Sequence, residues 1–165
     1  MDKTVILNHE DVSNKICRMA YQIYEDNTDE QEVMIMGIEG NGYALARKIA
    51  FELTEISGIT IPVCKISMQK HSRLPEVRID IPVQSYAGKS VVVVDDVLHT
   101  GKTLIYAVAK VLETPVKKLK TAVMIDRNHK LFPVKADYKG LSLSTSMKNH
   151  VEMKIGDDGM QVCLR

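Results

Sequence analysis

Residues 91–103 read VVVVDDVLHTGKT, and this stretch decides the fold that the rest of the chain has to fit. Four consecutive valines favour a strand that is buried on both faces, as in a parallel sheet covered by helices. Two aspartates, Asp95 and Asp96, follow the valines, and a short loop rich in hydroxyl groups comes next. The loop leads into a pattern typical of a helix over 102–113. The stretch therefore predicts a central strand, an acidic turn, a polar loop and a helix.

Apolar runs and amphipathic patterns alternate along the rest of the chain. The predicted strands are 33–38, 60–68, 77–83 and 119–126, and the predicted helices cover 12–23 and 45–56. The tail from residue 127 is predicted to form loops and short strands. Solid apolar runs that alternate with helices indicate an α/β fold, with a parallel sheet flanked by helices. Ligands of such sheets bind beyond the carboxyl ends of the strands, so the turns after 33–36, 91–94 and 119–125 are expected to converge on one edge.

Length, charge and cysteine content limit the class of protein. The chain has 165 residues, of which 45% are hydrophobic, and this suits one domain over 1–165. A net charge of +1 argues against nucleic-acid binding through overall charge, although a local basic face stays open. Three widely spaced cysteines without a C-x-x-C pair do not favour a zinc site or a disulfide framework, and they fit a reducing cytoplasm. We find no signal-peptide pattern or membrane-spanning run, so we expect a cytoplasmic protein without a membrane partner.

The loop at 99–103 has the properties of a phosphate site. Backbone N–H groups at the start of a helix attract anions, and Gly101 allows the backbone to approach closely. Thr100 and Thr103 add hydroxyl donors. A nucleotide-triphosphatase P-loop would need glycine five residues before Gly101, where Asp96 stands, so that interpretation is excluded.

The acidic pair beside this loop suggests a sugar. Carboxylates repel a phosphate but accept hydrogen bonds from paired hydroxyls, such as those of a ribose diol. A phosphate loop and a diol site a few residues apart have the layout of ribose 5-phosphate. The alternative is a capped helix preceded by two solvated aspartates, but the complete order of strand, acid pair and hydroxyl loop favours a binding site.

The stretch closely resembles the phosphoribosyl-pyrophosphate (PRPP) motif of the type I phosphoribosyltransferases. The resemblance implies that Asp95 and Asp96 bind the ribose 2′ and 3′ hydroxyls and that residues 99–103 bind the 5′-phosphate. It also implies Mg²⁺, chelated mainly by PRPP and water, so that the two aspartates contact the metal indirectly. The implied reaction transfers ribose 5-phosphate from PRPP to a nucleobase and releases pyrophosphate. The implied PRPP-binding residues are Asp95, Asp96, His99, Thr100, Gly101, Lys102 and Thr103, of which Asp95, Asp96 and His99 are the catalytic candidates.

Three more stretches resemble the pyrimidine-operon attenuator proteins, which are also uracil phosphoribosyltransferases. They read ILNHEDVSNKICRMAYQIYEDN, MGIEGNGYALARKIA and IDRNHKLFPVKADYKGLSLSTS. The last contains DR-x-H-x-x-x-P followed by K-ADY-x-G, which separates this branch from the orotate and adenine enzymes. The resemblance implies a flexible lid loop over 67–83, a small C-terminal hood and tail over 127–165, and a homodimer or higher homo-oligomer. It favours uracil as the base, with hypoxanthine or guanine as the alternative.

The glycine-rich turn at 37–42, GIEGNG, is the predicted site for pyrophosphate. Free backbone N–H groups in such a turn bind anions, although an ordinary turn between strand and helix has similar glycines. Its order G-x-x-G-x-G differs from the dinucleotide fingerprint G-x-G-x-x-G. The attenuator proteins usually carry a basic T-R-G here, and the Glu39-Gly40-Asn41 found instead leaves a PRPP sensor with little turnover as an alternative. The predicted pyrophosphate contacts are Ile38, Glu39, Gly40, Asn41 and Gly42, with Lys70 and Arg73 from the lid loop.

Four residues are candidates for the base side. Purine-using relatives place an aspartate at the position of His99, and the attenuator proteins usually place a tyrosine there. A histidine could hydrogen-bond the base, accept a proton or merely shape the phosphate loop. Lys135 matches a position where purine relatives contact the base carbonyl, or it is an exposed surface lysine. Asp126 and Arg127 either line the base or form an ion pair with each other.

RNA binding is a further alternative, because attenuator proteins bind messenger RNA through a basic face. The first helix and the middle of the chain supply few cations for such a face. They are Lys15, Arg18, Lys117, Lys118 and Lys120. RNA is therefore kept as an alternative partner.

Overall fold

A computed structural model describes residues 3–69, 71–144 and 149–165 of the protein. It contains two sheets, with six strands in the main one and three in the other. The strands are β1 (Thr4–Leu7), β2 (Val33–Ile38), β3 (Val63–Met68), β4 (Val77–Ile79), β5 (Ser90–Leu98), β6 (Lys118–Arg127), β7 (Tyr138–Leu143), β8 (Val151–Gly156) and β9 (Gly159–Leu164). The helices are α1 (His9–Glu25), α2 (Asn41–Ser57) and α3 (Lys102–Val111), with a 3-10 turn at Val83–Ser85.

The main sheet is mostly parallel, as the sequence predicts. Its strand order is β4-β3-β2-β5-β6-β7, and only the edge strand β4 runs antiparallel to its neighbour. The neighbours β2, β5 and β6 therefore bring their carboxyl ends to one edge. This confirms that the turns after these three strands converge.

The helices cover both faces of the main sheet, which is why its central strands contain uninterrupted apolar runs. One core cluster joins α1 and α2 with one face, through residues such as Ile16, Leu45 and Val92. A second cluster joins α3 with the other face, through residues such as Leu104 and Val93. Val91 to Val94 have no exposed surface, because alternate valines enter opposite clusters.

Two predicted strands are shorter in the structure than the sequence suggests. The strand predicted over 60–68 begins only at Val63, after Pro62. The strand predicted over 77–83 ends at Ile79. Its alternation fails because the Asp80 side chain turns back and accepts a hydrogen bond from the Lys65 backbone N–H at 2.8 Å.

The strand predicted at 91–94 is longer than expected, because β5 continues to Leu98. The prediction that the two aspartates lie in a turn is therefore wrong. The register of β5 with β6 is unbroken from Ser90 to Leu98, so both aspartates lie within the strand. Helix α3 ends at Val111, two residues before its predicted end.

The tail contributes to both sheets. Strand β7 extends the main sheet beside β6, whereas β8 and β9 form the small sheet with β1 from the start of the chain. The boundaries predicted for the lid, 67–83, and for the hood, 127–165, stay predictions. Among the described helices, none combines the length and the hydropathy needed to cross a bilayer.

The packing of α2 on β2 depends on the absence of a side chain at Gly37. A Cβ atom there would lie 2.5 Å from Tyr43 Cα and 2.7 Å from Ala46 Cβ. We expect Gly37→Ala to lower the free energy of unfolding by about 1–3 kcal/mol, because the helix has to move away from the strand. Denaturant unfolding measures the change.

Gly156→Ala is the matched control, because a Cβ atom at Gly156 meets no atom within 4 Å. We expect its free energy of unfolding to stay within about 0.5 kcal/mol of the parent. Equal losses in the two variants would contradict the close approach of α2 to β2.

Candidate active site

The two aspartates lie at the carboxyl end of β5 and fold their carboxylates back onto the strand. Asp95 Oδ1 accepts a hydrogen bond from Asp96 N at 2.9 Å, and Asp96 Oδ1 accepts one from Val97 N at 2.9 Å. Asp95 is only 5% exposed, and Asp96 is half-buried. Because a carboxylate has about four acceptor positions, these bonds fix both groups and leave them able to accept further hydroxyls.

Asn41 connects the acid pair to the small sheet. Its Nδ2 donates to Asp96 Oδ2 at 3.1 Å and to the backbone oxygen of Met153, in β8, at 2.7 Å. The neighbouring Gly42 packs against Asp95, where a Cβ atom would lie 3.0 Å from Oδ1. The predicted pyrophosphate turn and the acid pair are therefore in direct contact.

The rest of the predicted pyrophosphate turn is split between core and surface. Ile38 ends β2 and is fully buried, so it contributes its backbone only. Gly40 precedes α2 with a positive φ of 94°. The Glu39 carboxylate is exposed and lies 3.7 Å from Lys65 Nζ, a cation supplied by β3.

The predicted phosphate loop forms a small cradle at the start of α3. Gly101 has a φ of 85°, and a Cβ atom there would lie 2.7 Å from Val134 Cγ1, so glycine satisfies both the backbone and the packing. Thr100 Oγ1 accepts from the Lys102 N–H at 3.3 Å, and the Thr100 backbone oxygen accepts from Leu131 and Phe132. A cavity of about 60 Å³ lies against this loop, between Asp95 and Thr103.

Lys102 points away from this cradle toward the predicted lid. Its Nζ donates to the backbone oxygen of Ser72 at 2.8 Å, so it ties that segment to the phosphate loop. A second cavity, of about 620 Å³, lies between this segment and the turn at Glu39. Arg73 is exposed. Lys70, the other predicted lid cation, lies outside the described residues.

His99 and Arg127 come together at the ends of β5 and β6. Arg127 NH1 lies 2.8 Å from His99 Nδ1, and Arg127 is only 4% exposed. The pKa of His99 lies below its ordinary value, because of partial burial first and then electrostatic repulsion from Arg127 and from His150. The imidazole is therefore biased toward its neutral form.

Asp126 lies beside this pair but has other partners. Its carboxylate lies 2.8 Å from Lys130 Nζ and 3.3 Å from Lys139 Nζ, and it is 5% exposed. The Asp126 carboxylate therefore pairs with two lysines, and these contacts do not include the ion pair with Arg127 that was predicted as an alternative. Asp126 is held as a structural anion at the edge of the candidate base side.

The prediction that Lys135 contacts the base is contradicted by its position. Its backbone oxygen accepts from Thr121 Oγ1 at 2.6 Å, and its Nζ lies 3.5 Å from Asp137. Thr121 lies six residues before Arg127 in β6, about 20 Å away along an extended strand. Lys135 thus sits toward the amino-terminal edge of the sheet, with its side chain 84% exposed.

Sequence reasoning missed three contributors because they act from distant segments. Ser72 and Met153 contribute backbone oxygens, for which side-chain identity gives no signal. His150, beside β8, is close enough to His99 to affect its pKa. A third cavity, of about 720 Å³, lies between α1, α2 and the β8–β9 turn and does not include the acid pair.

The acid pair fits a magnesium ion that arrives with a substrate. Within the described residues, no group of three or more histidine, cysteine or acidic side chains is arranged to hold a metal. Mg²⁺ in proteins is commonly bound through one or two carboxylates together with substrate phosphates and water. Asp95 and Asp96 provide such oxygens and leave most of the coordination sphere to a ligand.

Comparisons with known proteins agree with this architecture. The family model described as "Phosphoribosyl transferase domain" matches residues 3–156. The bifunctional protein PyrR of Geobacter sulfurreducens is 35% identical over 159 residues, covering 91% of this chain and 89% of the relative. The bifunctional protein PyrR of Macrococcus caseolyticus is 29% identical over 174 residues, covering 100% of each chain. The crystal structure of a hypoxanthine-guanine phosphoribosyltransferase from Bacillus anthracis has a TM-score of 0.75 at 20% identity, covers 87% of this chain and 85% of its own, and shares the fold.

The contact between His99 and Arg127 has a measurable electrostatic consequence. We expect His99 to titrate below the usual histidine pKa of about 6.5, because of partial burial first and then because protonation brings a positive charge beside Arg127. Arg127→Gln should raise the His99 pKa toward the ordinary value. An NMR pH titration of the imidazole resonances measures both.

Arg78→Gln is the control. Arg78 lies in the edge strand β4 and pairs with Glu76, which directly precedes that strand, and not with His99. It should leave the His99 titration unchanged. If His99 has the same pKa in Arg127→Gln as in the parent protein, the contribution of Arg127 to the shift is contradicted.

Proposed function

Because this chain belongs to the phosphoribosyl transferase family, and within it to the PyrR proteins, it is a phosphoribosyltransferase, and we propose that uracil is the base that it uses. The reaction transfers ribose 5-phosphate from PRPP to a nucleobase and releases pyrophosphate. Magnesium, the roles of individual residues, self-association and a cytoplasmic location are parts of the proposal.

One observation carries the assignment of the site. Two fixed carboxylates at the end of β5 stand directly beside the start of α3, where Gly101 brings the backbone against a small cavity. In the proposal, Asp95 and Asp96 accept hydrogen bonds from the ribose 2′ and 3′ hydroxyls. The first turn of α3 and Thr103 bind the 5′-phosphate through N–H groups, the helix dipole and a hydroxyl.

The strand order supports an in-line arrangement of leaving group and base. The turn at 37–42 follows β2, on one side of β5, whereas His99 and Arg127 lie toward β6 on the other side. A sugar held at the end of β5 then has pyrophosphate on its β2 side and the base on its β6 side. The ring nitrogen of the base thus approaches C1 from the side opposite the bond to pyrophosphate. Catalysis by positioning requires this alignment.

The carboxylates also suit the charge that develops on the sugar. Displacement at C1 passes through a state in which the ring carries positive charge, and the anionic aspartates lie next to it. In the proposal, the segment tied by Lys102 closes over the pyrophosphate side when PRPP binds, and closure would exclude water there. Asp95 and Asp96 are the residues that would hold magnesium bound together with PRPP, and the metal would neutralise charge on the leaving pyrophosphate.

Uracil is favoured over a purine by the pattern of similarity. The PyrR relatives match nearly the whole chain at 29–35% identity. The Bacillus anthracis purine enzyme shares the fold at only 20% identity, which does not transfer a base preference. Hypoxanthine or guanine therefore remains the alternative acceptor.

The RNA alternative has little support from the basic residues counted for it. Arg18 NH2 donates to two backbone oxygens in β7, at Lys139 and Gly140. Lys117 lies 2.9 Å from Glu30, Lys118 donates to the backbone oxygen of Asp26, and Lys120 lies 3.9 Å from Asp137. Most of these cations already have local partners. Salt-dependent binding to the leader RNA of a pyrimidine gene would nevertheless establish a regulatory role beside the enzymatic one.

Self-association as a homodimer or higher oligomer remains a proposal that rests on the family resemblance. The cytoplasmic location is supported by the cysteines, which are free thiols in the described part of the chain. Cys64 is buried there, and burial together with Asp80 raises its pKa to about 12, so it is an unreactive core residue.

The role of the acid pair is tested with Asp96→Asn. The amide removes one negative charge and an acceptor for a ribose hydroxyl, and a hydrogen bond to a charged group is worth about 1.5–3 kcal/mol. We expect kcat/KM for PRPP to fall about tenfold to a hundredfold, with weaker PRPP binding by calorimetry.

Asp157→Asn provides the control, because Asp157 is exposed in the turn between β8 and β9. It removes the same charge from the chain and should leave PRPP binding unchanged. Wild-type affinity and turnover in Asp96→Asn with every base would disprove the diol assignment.

The base is identified by incubating the protein with PRPP, Mg²⁺ and radiolabelled uracil, hypoxanthine, guanine, xanthine or adenine in turn. We expect uracil to give the highest kcat/KM. A preference for hypoxanthine or guanine would replace uracil with the alternative, and PRPP binding without turnover of any base would indicate a PRPP sensor.

A further inference from the structure

The contact between Arg127 and His99 fixes where the imidazole carries its proton. A guanidinium has only N–H donors, so Nδ1 of His99 has to accept the hydrogen bond from Arg127 NH1 at 2.8 Å. A neutral imidazole has one protonated and one unprotonated nitrogen. The proton is therefore on Nε2, and His99 presents an N–H donor on the side away from Arg127.

The same contact removes His99 as a general base. The Nδ1 lone pair is engaged by Arg127, and Nε2 has no lone pair available in this tautomer. Accepting a proton would create a second cation beside Arg127. A histidine in this setting is suited to donating a hydrogen bond rather than to removing a proton.

The position of the pair points to the base. His99 follows β5 directly, Arg127 ends β6, and the pyrophosphate turn lies on the opposite side of β5. His99 is exposed and also lines the cavity at the phosphate loop. On the proposed function, on which this step rests, the base occupies the side where His99 stands.

We propose that His99 donates its Nε2–H to an acceptor atom of the base next to the reacting ring nitrogen, and that Arg127 is the positioning residue that holds this tautomer. In uracil the acceptor is the carbonyl oxygen O2, beside N1. His99 would therefore select bases that carry a hydrogen-bond acceptor next to the reacting nitrogen and would disfavour bases that carry an N–H group there.

The donor assists the reaction without taking a proton. The N1–H bond of the base breaks and its proton passes to solvent water, N1 forms a bond to C1 of the ribose, and the C1–O bond breaks with its electron pair leaving on pyrophosphate. As N1 loses its proton, negative charge spreads onto O2. A fixed donor at O2 stabilises that charge as an oxyanion hole does.

The tautomer is tested without any turnover. Nitrogen-15 NMR of the imidazole in the full chain distinguishes a protonated from an unprotonated ring nitrogen. We expect His99 to have unprotonated Nδ1 and protonated Nε2, and Arg127→Met to mix the two tautomers. A proton on Nδ1 in the parent protein would overturn the proposal, whether or not the chain is an active enzyme.

The role of the donor is tested with the matched pair His99→Gln and His99→Glu. The Gln amide nitrogen reaches about as far as Nε2 and donates, whereas a Glu carboxylate of the same length only accepts at neutral pH. With the base chosen by the screen, we expect Gln to retain most of the parent kcat/KM and Glu to lose about tenfold or more. The Gln variant should also keep the parent pH profile.

A general base predicts the reverse order, with Glu active and Gln inactive, and that result would overturn the proposal. Equal activity of both variants and the parent would do so as well, because His99 would then not touch the base. Equal losses in Gln and Glu would also overturn it. If the parent enzyme turns over no base at all, the proposed function fails and the NMR measurement alone decides the tautomer.

Discussion

The parallel pairing of β5 with β2 on one side and β6 on the other is the constraint on which the site depends. It places the carboxyl ends of three strands at one edge of the sheet, and each end contributes different chemistry: a glycine-rich turn, an acid pair with the loop that follows it, and an arginine. The buried valines of β5 hold this register because they pack into both cores at once. A slip of one residue would exchange the faces of every side chain on the strand.

The sequence predicted the fold well where local pattern and tertiary burial agree. The solid apolar runs became β2 and the start of β5, and the predicted helix over 45–56 became the greater part of α2. The prediction failed where a single side chain overrides the pattern. The Asp80 side chain ends β4 by accepting a hydrogen bond from the backbone N–H of Lys65 in β3. The periodicity of the segment does not predict that contact.

The candidate site shows the same division. The acid pair and the phosphate loop are contiguous in sequence, so their proximity could be predicted. Lys135 could not be placed, because its motif match gives no information on the edge of the sheet at which the segment lies. The His99–Arg127 contact joins residues 28 apart in the chain, and only the pairing of β5 with β6 brings them together.

The distribution of charge around the acid pair differs between its two sides. Toward β2, the turn carries Glu39, and its nearby cation, Lys65, comes from the neighbouring strand at 3.7 Å. An exposed pair of this kind is weak, so Lys65 can exchange Glu39 for an anionic ligand at small cost. Toward β6, the cation is Arg127, which is buried and donates to His99. In the proposed function, the exposed lysine lies on the side where pyrophosphate enters and leaves, and the buried guanidinium lies on the side where a neutral base is oriented. That contrast follows from burial, because an exposed lysine reorients at small cost, whereas a buried guanidinium is held in place by the hydrogen bonds that it donates.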